Sequence, residues 1–321
     1  TRSDRDWSSD VCSSDLATIA AELGHLPLAL HLAGSFLAAF GDVVSAAEYI
    51  QDLQQFSVTD QLGQQAADIE DIQLINKTNH TWHIGRTFRL SYDQLLESDT
   101  ISENEVSLNW VARRLLARAA VLAPGIPIPN QLLFDTFNFY EEAQDEEAAE
   151  MEEPVEPSKI VRKKGLMKLL TLGLLTKDRF KEEEAVVIHR LTADFAKAAG
   201  DRDESDLETA ERELTYASNR LNNDGYPREL LPYHPHLFHV LDEAKITGRR
   251  DTQTAGLMNE LAVSLDALAD HMRAKPYYEQ ALEINRELLG ERHPDTASSL
   301  NNLGFLLQAM GERSEEHTSE L

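Results

Sequence analysis

"TAGLMNELAVSLDALAD" (Thr254–Asp270) recurs 42 residues later as "TASSLNNLGFLLQAMGE" (Thr296–Glu312). In this register Met258 aligns with Leu300, Asn259 with Asn301, Leu261 with Leu303, Ala262 with Gly304 and Leu265 with Leu307. The apolar spacing is that of one helix face. Between the copies Ala274, Tyr278 and Ala281 mark a second helix that ends at Gly290. Small residues at 262, 274 and 281 let two helices approach closely, and the large residues between them fill the gap. A hairpin of this kind cannot bury both faces alone, so its copies stack.

The pattern L-[AG]-x-x-L…A-x-x-x-Y-x-x-A resembles the tetratricopeptide repeat, whose classical period is about 34 residues. Here the second helix runs on, with Arg286 where that repeat places its stop, and the longer unit resembles the kinesin light chain type. The resemblance implies a groove lined by the first helix of each hairpin. It places Asn259 and Asn301 there, where their amides could hold the backbone of a protein or peptide ligand. Solvated helix positions are the plain alternative for both.

The ends of the chain read differently. Arg313–Leu321, "RSEEHTSEL", can be back-translated to a DNA whose reverse complement, one base out of frame, encodes "SSDVCSSDL", Ser8–Leu16. Both segments resemble translated sequencing adapter. Residues 1–16 and 313–321 are therefore set apart from the fold, as a scar would be. The remainder is expected to be an internal fragment of a longer protein.

The only cysteine, Cys12, lies in the first of those segments, so the remainder has no disulfide framework. The net charge is −26; each end segment carries −2, leaving −22. A chain so acidic repels a phosphate backbone, which makes nucleic acid a poor partner. No apolar run reaches the roughly 20 residues that span a bilayer, and the expected location is cytoplasmic.

Most of the chain has helical periodicity. Helices are expected over 17–23, 28–40 (Pro27 before it, Gly41 after it), 43–53, 87–96, 108–122, 131–139 and 159–173. The block "EEAQDEEAAEMEEPVEP" (141–157) reads as a solvated acidic insertion. "LTKD" and the β-branched "EAVVIHRL" read as a hairpin with "RFKEEE" at its tip, followed by a helix ending at Gly200. Helices ahead of a two-stranded hairpin make a winged-helix pattern. Arg162, Lys163 and Lys164 would permit DNA contact, but the surrounding charge argues for an interaction role.

Four stretches, in order, resemble the NB-ARC module of STAND-class signalling ATPases. "LGHLPLALHLAG" (Leu23–Gly34) is similar to its GxP motif, and "FRLSYDQL" (Phe88–Leu95) to the block closing its helical subdomain. "LLARAAVLAPGIPIPNQLL" and "VVIHRLTADFAK" are similar to the two ends of its winged-helix subdomain. The resemblance implies that Pro27 packs near the adenine of bound ADP and that His189 contacts its β-phosphate. The alternatives are a helix-start proline and a strand histidine satisfied by backbone.

No G-x-x-x-x-G-K-[ST] phosphate loop occurs in the chain. ADP or ATP, with Mg in the full-length protein, is the implied cofactor, with no tight binding by this chain alone. The chain itself is not expected to be an enzyme; the parent is expected to be a slow ATPase that a ligand on the repeats drives into a homo-oligomer.

The expected fold is mainly α: a helical subdomain (17–105), a winged helix (106–200), a helical connector (201–250) and an α-solenoid of tetratricopeptide-type hairpins (251–312). The expected function is the ADP-binding lid of a prokaryotic STAND-type switch coupled to a sensing array. A tetratricopeptide adaptor without nucleotide and a transcriptional regulator of the same class are the alternatives. "YHPHLFH" (Tyr233–His239) gathers three histidines, of which only His236 and His239 share a helical face, so it reads as a helix start and not as a metal site.

Overall fold

The computed structural model describes residues 13–55, 80–96, 106–138, 157–199 and 204–319. All of the acidic block but Pro157 lies outside the described residues, as does the polar stretch 56–79. The protein is mainly α-helical and divides into two compact units, 1–120 with 127–202, and 121–126 with 203–321.

The first unit contains α1 (Ser13–Glu22), α2 (Pro27–Phe40), α3 (Ala46–Gln55), α4 (His80–Asp93) and α5 (Leu108–Val121). After these come β1 (Ile128–Pro129), α6 (Asn130–Asp135), α7 (Lys159–Thr171), β2 (Thr176–Phe180), β3 (Glu183–Val187) and α8 (Arg190–Ala198). Helix α1 starts at Ser13, inside the segment read as adapter-derived. Pro27 is the first residue of α2, a position where a missing N–H costs nothing. Gly41 does not end α2 in a left-handed conformation: its φ is −61° and its N–H donates to the Leu37 carbonyl. Ser45 caps α3 reciprocally with Glu48; the Glu48 N–H donates to Ser45 Oγ at 3.2 Å and the Ser45 N–H to Glu48 Oε2 at 2.8 Å.

Ala29, Leu32, Ala33 and Phe36 of α2 are buried, as are Ile84 and Phe88 of α4, along which α2 packs. Helix α8 reaches the same α4: Phe195 stacks on Phe88 with ring centroids 5.5 Å apart. The turn after α7 also meets α2. Gly173 has φ +72°, and a methyl group there would lie 2.6 Å from Ser35 Oγ and 3.2 Å from His31 Nε2. Only glycine suits both the backbone and the space.

The sheet order is β1-β3-β2, antiparallel throughout. The hairpin turn is shorter than the sequence suggests, because β2 and β3 extend inward to leave only Lys181 and Glu182 between them. Pro129 is tolerated because β1 is an edge strand. Helix α6 is likewise shorter than 131–139, ending at Asp135.

Helix α7 carries the basic run, but Arg162 does not face solvent. Its guanidinium donates to the carbonyls of Pro157 and Phe134 and to Asn138 Oδ1, at 2.8, 2.7 and 2.9 Å. Arg118 completes the cluster, lying 4.2 Å from the centre of the fully buried Phe137 ring and donating to the Thr136 carbonyl. Two of the chain's cations are thus spent on holding α5, α6 and α7 together.

The second unit contains α9 (Glu204–Asn223), a 3-10 helix (Pro227–Tyr233), α10 (His234–Ile246), α11 (Thr252–Ala267), α12 (His271–Leu289) and α13 (Pro294–Ser319). Helices α9 and α10 form a hairpin ahead of the repeat, with α9 packed along α11. Ala262, Ala274 and Ala281 are fully buried, together with Leu261, Leu265 and Tyr278. Asp251 caps α11 and Asp270 caps α12, each through the backbone N–H three residues on. Helix α12 runs to Leu289, and Gly290, at φ +84°, ends it. Helix α13 continues through Ser319 into the second segment read as adapter-derived.

A buried polar cluster joins α9 to α11. Glu211 is fully buried; Thr254 Oγ1 donates to its Oε1 at 3.0 Å, and Arg249 lies 3.0 Å from its Oε2. Asp251 holds the same guanidinium at 2.6 Å. Burial pushes the Glu211 carboxyl up to about 7, against the pull of Arg249 and Thr254. The folded protein therefore holds this proton more tightly than the unfolded chain does. The resulting stabilisation is complete below pH ~4.5, the ordinary glutamate value, and is lost as pH rises through about 7. Chemical denaturation at pH 5 and pH 8 should show the stability of the wild type relative to Glu211→Gln falling by roughly 2 kcal/mol over that interval. Parallel pH profiles for the two proteins would contradict this account.

Candidate functional site

Two places in the chain carry the residues singled out by sequence. The first is the start of α2. Gly24 (φ +60°) and His25 (φ +54°) turn the chain between α1 and α2. The His83 ring of α4 lies against that turn, and a methyl on Gly24 would meet it at 3.4 Å. Leu26 supplies no side-chain cap to α2, and Pro27 is exposed at its first position.

His189 lies just beyond β3, which ends at Val187, and caps α8. It is therefore a helix cap and not a strand residue. Its Nδ1 accepts the Leu191 N–H at 3.1 Å, which leaves the ring proton of the neutral form on Nε2. The side chain is exposed. Partial desolvation lowers its pKa, and the Asp194 charge opposes this, so the ring is neutral at physiological pH. Pro27 and His189 are each used locally, at the start of a helix. What their helices share is α4, on which both α2 and α8 pack. Arg86 of that helix is buried; burial lowers its pKa, and the Glu22 and Tyr49 charges oppose the shift.

The second place is the row of first helices in the second unit. Asparagines connect them. Asn219 and Asn222 of α9 donate to the Glu260 carboxylate of α11 at 2.9 and 2.8 Å. One step along, Asn302 of α13 donates to Asn259 Oδ1 at 3.0 Å. Asn301, the equivalent of Asn259 in the next copy, is exposed, and the residue that touches Asn259 is its neighbour Asn302. Half of the Asn259 amide is committed to holding α11 and α13 together. The sequence does contain the signal, the pair Asn301-Asn302, but a one-dimensional alignment cannot show which of the two lies across the helix contact.

The histidine cluster is structural. His236 is fully buried and its Nδ1 accepts the Ala123 N–H at 3.1 Å; His234 Nε2 lies 2.9 Å from Ser264 Oγ. Among the described residues no group of three or more His, Cys, Asp or Glu is placed to hold a metal ion. No helix among them is long and apolar enough to cross a membrane.

A family model described as tetratricopeptide repeat matches residues 253–318. No curated protein matches the chain significantly. The matched residues are those of α11, α12 and α13, so the C-terminal part of the chain carries tetratricopeptide repeats, a protein-interaction architecture.

The two copies differ in cover. Met258 and Leu265 are 8% and 2% exposed, whereas their counterparts Leu300 and Leu307 are 53% and 46% exposed. Leu265→Glu should cost roughly 3 kcal/mol or more, because it buries a charge among apolar side chains. Leu300→Glu should change stability by less than ~0.5 kcal/mol. Urea midpoints of the two variants against wild type decide the matter; similar losses in both would mean that α13 is covered.

Proposed function

We propose that this chain is a protein-binding arm joined to a nucleotide-dependent lid. The arm rests on one observation: on α13 Asn301 is exposed, and so is the ring of Phe305 one helical turn along the same face. An amide that can pair with a peptide backbone, beside apolar surface that can take its side chains, suits an extended or helical segment of a protein. Peptides selected from a random display library against the chain should lose about tenfold in affinity to Asn301→Ala and keep it against Lys163→Ala in the first unit. Equal affinity for both variants would remove the groove assignment.

The lid reading is that of a STAND-type switch, in which Pro27 and His189 close over ADP. Its support is the state of His189, a neutral, exposed ring with its Nε2–H turned away from its own cap. Such a donor can reach a phosphate oxygen without adding a charge. The sheet order β1-β3-β2, with α6 packed on β1 and β3, also suits the winged-helix subdomain that this reading requires. A hydrogen bond made only in the closed form would shift the population toward that form. ADP and Mg would then be ligands of a chain that also carries a phosphate loop, and release of the lid by a bound partner would favour assembly into a homo-oligomer. In such a chain His189→Ala should weaken ADP binding by about tenfold, the effect of one hydrogen bond to a charged group. Unchanged ADP affinity by calorimetry would leave the adaptor reading alone. The regulator reading loses Arg162 of the basic run, which is buried, and keeps only the exposed Lys163 and Lys164.

A further inference from the structure

Between α10 and α12 lies a cavity of about 490 Å³ that neither Asn259 nor Asn301 lines. It is formed by the second helices of two successive hairpins, with the loop 248–250 at one end. Its floor is apolar and built from buried side chains: Leu241, Met258 and Ile284. The α12 wall adds the thioether of Met272, which is 75% exposed, and the ring of Tyr277.

The side chains lining this cavity include more cations than carboxylates, although most of the cations have acidic partners just outside it. The chain carries −26, yet the lining contains Lys245, Arg249, Arg250 and Arg273 against a single carboxylate, Asp242. Arg249 is committed to Glu211 and Asp251. Among the described residues, one of the other three cations is unpaired and two have exposed partners. Lys245 is exposed and has no ion partner among the described residues. Arg250 is shared by the exposed Glu283 and Glu287, and Arg273 by Asp270 at 3.4 Å. Exposed pairs of this kind contribute only ~0–1 kcal/mol, so an incoming anion can displace them. Arg273 is held in place by its stacking over Phe238, 4.7 Å from the ring centre.

We infer that this cavity is a binding site for a small organic anion, a molecule with an aromatic or aliphatic body and a phosphate or carboxylate group. The volume falls within the roughly 300–1,000 Å³ range of small-molecule sites, which combine an apolar lining with a few placed polar groups. The body of the ligand lies on Met258, Leu241 and Ile284, and its anionic group faces Lys245 and Arg273. The site is separate from the peptide-binding face proposed above and stands or falls independently of it.

The test uses the methionines as reporters. The chain has five, of which Met258 and Met272 line the cavity, while Met167 and Met310 lie elsewhere. With ¹³C-methyl-methionine protein, 2-naphthyl phosphate and 2-naphthoate should shift the Met258 and Met272 signals saturably and leave Met167 and Met310 in place. The neutral 2-naphthol should bind at least tenfold more weakly. Lys245→Glu, a change at an exposed position, should weaken 2-naphthyl phosphate at least tenfold while the Met167 and Met310 signals keep their folded positions. A response to the phosphate but not the carboxylate, or the reverse, keeps the site and identifies the anionic group. Equal binding of 2-naphthol and 2-naphthyl phosphate, shifts confined to Met310, or no effect of Lys245→Glu would each overturn the proposal.

Discussion

A single helical hairpin leaves one apolar face in water, and the second unit is organised around avoiding that exposure. Helix α11 is its centre, packed by α9, α10, α12 and α13. Contact this close requires alanine where the backbones approach, at 262, 274 and 281, and a large side chain where they diverge, at Leu261, Leu265 and Tyr278. These residues contribute the apolar burial, at about 25 cal/mol per Å². The polar connections between helices, Glu211–Thr254, Asn222–Glu260 and Asn302–Asn259, set the register instead.

The first unit is held differently. Its common support is α4, which receives α2 along one side and α8 through the Phe88–Phe195 stack. The join between α7 and the hairpin is possible only because Gly173 brings backbone against Ser35 and His31 of α2. Within this unit three cations are structural. Arg118 and Arg162 both hold the Phe137 region, and Lys168 donates to Gln94 O and Asn109 Oδ1. Part of a basic run in the sequence, Arg162 and Lys168, therefore became scaffolding, while Lys163 and Lys164 stay exposed.

How much of the candidate sites was readable varies with the kind of information each needs. The repeat was legible because burial recurs at fixed spacing, and spacing is a property of sequence. The role of Pro27 as a helix start was equally local. His189 was placed in a strand because "VVIH" is β-branched up to its last residue, but strand pairing ends at Val187 and the ring turns to cap α8. The tetratricopeptide pattern puts Asn259 on the first-helix face, and only the helix crossing shows that its oxygen accepts from Asn302. The cavity between α10 and α12 left no trace in the sequence, since its lining comes from three helices and a loop with no common motif.

By itself the sequence determined the helical class, the hairpin unit and its 42-residue repeat, because local periodicity and the spacing of small and large residues are enough to state which faces must be buried. Only the tertiary structure decided what those faces meet. It turned α9 and α10 into a further hairpin of the stack, left Leu300 and Leu307 in solvent, and gathered Lys245, Arg250 and Arg273 around one apolar floor. The physical reason is that burial is a demand written along the chain, while the partner that satisfies it, and the charge left beside it, depend on how distant helices cross.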